Sequence, residues 1–97
     1  MLEREINTLS VSDWTKAEQV IERICLKEGL WSSLKNTLKQ YPGSVHWHFK
    51  QSGGAGVIEI TLWPASNRLW LSVHDNRNAE WIPETFEKIA AELAYWL

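Results

Sequence analysis

The residues of this chain best equipped for chemistry fall in one stretch, Val45 to Asp75, which reads VHWHFKQSGGAGVIEITLWPASNRLWLSVHD. It holds all three histidines (His46, His48 and His74) together with Glu59, Arg68 and three of the seven tryptophans, of which Trp63 and Trp70 share the histidines' side of the sheet. An imidazole beside a carboxylate can pass a proton near neutral pH, so His48 and Glu59 are the candidate acid–base pair. Histidine is also the commonest metal ligand. Alternate positions on a strand, such as His46 and His48, are about 7 Å apart at the backbone, and a residue two strands away, such as His74, is roughly 10 Å away. A zinc ion needs each ligand nitrogen within about 2.1 Å. These spacings predict no metal centre and no cofactor. Tryptophans on a solvated sheet leave an apolar patch, and such patches mark contact sites. Trp63, Trp70, His46, His48, Arg68 and His74 therefore form the candidate binding surface. Arg68 stacked on Trp63 is a purely local use of that pair.

These residues need a sheet to present them. Three runs alternate with a period of two: Val45–Gln51, Gly56–Trp63 and Arg68–Asp75. Ser52-Gly53-Gly54-Ala55 and Pro64-Ala65-Ser66-Asn67 read as turns. The glycine cluster opens a strand, whereas a phosphate-cradling loop opens a helix, so it reads as a hairpin turn. Pairing Trp47 with Ile60 and Ile60 with Leu71 gathers nine apolar side chains on one face: Val45, Trp47, Phe49, Ile58, Ile60, Leu62, Leu69, Leu71 and Val73. The other face falls into rows, His46–Thr61–Trp70, His48–Glu59–Ser72 and Lys50–Val57–His74, with Trp63 beside Arg68.

Helical stripes flank the meander. Ser12 or Asp13 can cap a helix carrying Ala17, Val20, Ile21, Ile24 and Cys25 on one side. Gly29 offers a stop, and the period continued by Trp31, Leu34 and Leu38 predicts a second helix from about Ser32 to Gln40. Ile82, Phe86, Ile89, Leu93 and Trp96 or Leu97 mark a last helix that starts between Asn78 and Pro83. Residues 1–11 read as a short helix or an arm, which could fold Leu2, Ile6 and Leu9 over Trp63 and Trp70. The expected fold is α+β, a single domain over residues 1–97. It is a two-layer sandwich of a three-stranded antiparallel meander with helices on one face, in the order α(α)-β-β-β-α.

Composition narrows the function. The net charge of −2 lacks the basic surface of a general nucleic-acid binder; such a reading would need Lys27, Lys35, Lys39 and Lys50 to converge. Cys25 is the only cysteine, which excludes an internal disulfide and a cysteine-rich zinc site. Neither a signal peptide nor a membrane span is visible, so a cytoplasmic location is expected. The αβββα order is similar to that of double-stranded RNA-binding domains. Their basic cluster at the start of the last helix is replaced here by Glu80-Trp81-Ile82-Pro83-Glu84. It is also similar to the core of metal-dependent nucleases with a Glu-x-Lys strand motif, where this chain has Glu59-Ile60-Thr61. The expected function is non-enzymatic: a binding or assembly module that meets a second copy or a protein partner through the face bearing Trp63 and Trp70. A small enzyme using His48 and Glu59, and a nucleic-acid-binding domain, are the alternatives.

Overall fold

The computed structural model describes residues 1–97 and is α+β, with one five-stranded antiparallel sheet and two α-helices. In chain order the elements are β1 (Leu2–Ile6), α1 (Trp14–Lys27), β2 (Leu30–Asn36), β3 (Val45–Gln51), β4 (Ile58–Trp63), β5 (Arg68–Val73) and α2 (Ile82–Trp96). Short 3-10 turns at Pro64–Ser66 and Asp75–Arg77 follow β4 and β5. The sheet order is β1-β5-β4-β3-β2, so β4 is central. The expected meander is its middle, β3-β4-β5, in the expected register: Trp47 faces Ile60, Ile60 faces Leu71 and Trp63 faces Arg68.

Both flanks of the sheet correct the sequence reading. Residues 1–11 contain a strand rather than a helix or loose arm. β1 pairs with β5, Leu2 opposite Val73 and Ile6 opposite Leu69. Leu2 and Ile6 thereby join the core, while Arg4, between them, reaches Glu87 of α2 through two hydrogen bonds of 2.8 and 2.9 Å. The predicted helix over Ser32–Gln40 is also absent. α1 ends at Lys27 and Gly29 turns the chain at φ +81°, as a stop requires. The chain then runs back as β2 beside β3. A register shift between Ser32 and Leu34 marks a bulge, which breaks the two-residue period.

The two helices share one face of the sheet. Asp13 caps α1 by accepting the Lys16 N–H at 3.0 Å, and Ala17, Ile21, Ile24 and Cys25 point inward. From α2 come Ile82, Phe86, Ile89, Ala90 and Leu93. They meet eight of the nine expected sheet residues in one buried cluster, with Val45 partly buried at its margin. Trp47 is wholly buried there, its indole N–H donating to Glu22 Oε2 of α1 at 2.9 Å. Burial pushes the Cys25 thiol up, so the lone cysteine is an inert core side chain. The β3–β4 hairpin is anchored at Gly56, where φ is +100° and an added Cβ would lie 2.8 Å from Ala79 and 2.9 Å from Ile82. No helix is long and apolar enough to cross a membrane.

Candidate functional site

No helix covers the second sheet face. Five strands set its side chains in two complete rows. One runs Glu5–Trp70–Thr61–His46–Asn36 and the next Glu3–Ser72–Glu59–His48–Leu34. The third expected row does not form. Val57 lies before β4, and its N–H donates to Arg77 O at 2.9 Å.

Glu59 is at the centre, on the middle strand. Its Oε1 lies 3.2 Å from His46 Nε2 and 3.6 Å from His48 Nε2. Its Oε2 lies 3.2 Å from His74 Nε2. The sequence reading measured separation along the backbone; the rings close that distance. One ligand atom each from His46, His48 and Glu59 fall within 4.8 Å of one another. His74 reaches the cluster because the chain leaves β5 at that residue and turns into the Asp75–Arg77 helix. His46 is 6 % exposed, and its Nδ1 lies 2.8 Å from the Thr61 hydroxyl. Burial pushes the His46 imidazole below its ordinary value; Glu59 pulls the other way, and His48 and His74 add to the lowering.

The aromatic side of the face differs from expectation. Trp70 is buried, at 8 % exposure, and Trp63 is half-buried. The N-terminal segment does not cover them: β1 extends the sheet sideways and Leu9 is exposed. Tyr41, in the β2–β3 connection, packs against both, at ring centroid distances of 4.8 Å from Trp63 and 5.2 Å from Trp70. Trp63 Nε1 donates to Pro42 O at 3.0 Å. Arg68 stacks on Trp70, 4.5 Å from its ring centre, instead of on Trp63, and its guanidinium is held by Glu5. The large apolar side chains left exposed on this face are Trp31 and Leu34 of β2, whose spacing continues a helical period in the sequence. Their signal was the pairing itself: each lies opposite a polar-face residue of β3, Lys50 and His48.

Two cavities indent the molecule, of about 210 and 260 Å³, and both lie on the helix side against Trp96. Neither touches His48 or Glu59. The lysines do not converge: Lys27 is paired with Glu92 and Lys35 with Glu18 and Glu22, while Lys50 is on the open face. Compared with models of known protein families, with curated proteins and with solved structures, the chain matches none.

Proposed function

We propose that the protein is a non-enzymatic binding and assembly module that packs against a second copy of itself through the open sheet face. The observation that carries this is a five-stranded face with no covering helix, bearing Trp31 and Leu34 exposed at one rim and Trp63 half-exposed at the end of the central strand. Strand spacing and rise give it a flat extent of roughly 24 by 17 Å, about 400 Å². Side-chain relief raises that area, and two copies together reach about 1,000–1,200 Å², the lower limit for a specific interface. The dimer is therefore expected to be weak, forming at micromolar concentrations. A buried, unpaired cysteine suits the reducing cytoplasm, where the reading places the chain. Catalysis by His48 and Glu59 gains no support, because an acid–base pair without a cavity has nothing to hold a substrate against it.

Sedimentation equilibrium across a wide concentration range tests the reading. The expected result is a reversible monomer–dimer equilibrium that Trp31→Ser with Leu34→Ser shifts to monomer. Both side chains are exposed, so the substitutions spare the core. A chain that stays monomeric at several hundred micromolar, or a dimer indifferent to the two substitutions, would refute it.

A further inference from the structure

Three imidazoles around one carboxylate are more than charge balance calls for. A single protonated histidine neutralises Glu59; the other two are surplus to that purpose. All three nevertheless direct Nε2 at it, within 3.2 to 3.6 Å. From this geometry we propose that His46 Nε2, His48 Nε2 and Glu59 Oε1 are the ligands of a site for a divalent transition-metal ion of the zinc type.

The spacing suits such an ion. Tetrahedral bonds of about 2.1 Å place ligand atoms roughly 3.4 Å apart. The two histidine–Glu59 separations bracket that value, and the widest separation in the trio is at most 4.8 Å. Small rotations of the His46 and His48 rings close the remainder. The supports that metal ligands need are also in place. Thr61, itself buried, takes the Nδ1 side of His46 at 2.8 Å, which turns Nε2 toward the site. His74 approaches the far carboxylate oxygen, Oε2, and so fixes Oε1 toward the two rings. Thr61 and His74 are thus positioning residues. Two imidazoles and one carboxylate favour zinc, cobalt, nickel or copper over magnesium and calcium, which prefer all-oxygen sites. Glu59 and His48 are not fully buried, so a fourth coordination position opens outward to water. Every ligand comes from one chain, so the site does not depend on self-association.

Calorimetric titration of the full chain with zinc chloride tests this, with magnesium and calcium chloride as controls. Visible absorption of the cobalt form reports the ligand set. One zinc per chain is expected, saturating at micromolar concentration, with no response to magnesium or calcium. His48→Gln and Glu59→Gln should each weaken zinc binding by about 100-fold, and His74→Ala by about 10-fold, as loss of a supporting partner does. Lys50→Gln, on the same face but outside the cluster, should leave affinity unchanged. Far-ultraviolet circular dichroism checks that each variant folds. His48 is partly exposed, so His48→Gln decides the matter if Glu59→Gln does not fold. The proposal is overturned if zinc fails to saturate the wild-type chain, or if His48→Gln binds it as tightly and gives the same cobalt spectrum.

Discussion

The hydrogen bond from Trp47 to Glu22 joins the sheet to α1, and its removal should be costly for one side chain on a partly exposed helix face. Glu22 Oε2 accepts from Trp47 Nε1 at 2.9 Å and from Lys35 Nζ at 2.8 Å. The Lys35 contact is exposed and solvent-screened, so it adds little. The Trp47 bond matters more, because the residue is wholly buried and its N–H has no other partner. Glu22→Ala strands that donor, and an unsatisfied buried donor costs about 1–3 kcal/mol. Water can reach it from the Glu22 side, so we expect about 1–2 kcal/mol, which at a urea dependence of about 1 kcal/mol per molar lowers the unfolding midpoint by about 1–2 M. Glu22→Gln keeps an acceptor and should cost less. Acid adds a second readout. Burial works against the Glu22 charge, but Lys35 and Trp47 together outweigh it and hold its carboxyl below the ordinary value of 4.5. A carboxylate depressed in the folded state stabilises fully above its unfolded value and loses that contribution as pH falls through the folded one. The advantage of wild type over Glu22→Gln should therefore be complete at pH 7 and disappear in acid. Repeating Glu22→Ala in a Trp47→Phe background isolates the bond. If Glu22→Ala costs as much there as in wild type, the indole bond is not what Glu22 contributes.

Two further outcomes follow from backbone geometry. Gly56→Ala combines a left-handed backbone with contacts under 3 Å and should destabilise by about 3 kcal/mol, whereas Gly53→Ala, at φ +72° in open space, should cost only about 1 kcal/mol; thermal unfolding separates them. Asp13→Ala removes the α1 cap and should lower stability by about 1 kcal/mol, visible as a fall of several degrees in melting temperature.

The middle of the sheet is legible in the sequence because its strands obey a strict alternation and its turns have the right residues. β3, β4 and β5, their register and the apolar face all follow from it. The edges are hidden for two reasons. In β2 the bulge at Ser32–Leu34 shifts the alternation, so Trp31, Leu34 and Leu38 imitate a helical stripe. Lys35 also sits on the helix-facing side, where Glu18 and Glu22 meet its charge, so a polar residue occupies an inward position. β1 is short, and Arg4 fills its middle inward position by reaching Glu87. The candidate site divides the same way. Register alone places His48 beside Glu59. The convergence of His46 and His74 on the same carboxylate depends on ring orientation and on the turn after Val73, neither of which a two-residue period encodes.

The short first strand also bears on aggregation. β5 reads Arg68-Leu69-Trp70-Leu71-Ser72-Val73, a strongly strand-forming run with one charge at its start. As an outer strand it would offer a row of free N–H and C=O groups to any extended chain nearby, the template from which cross-β fibrils grow. β1 occupies that row and replaces it at the margin with Glu3-Arg4-Glu5, whose charges resist further pairing. The five residues from Leu2 to Ile6 thus serve as a gatekeeper against fibril growth as well as a part of the sheet.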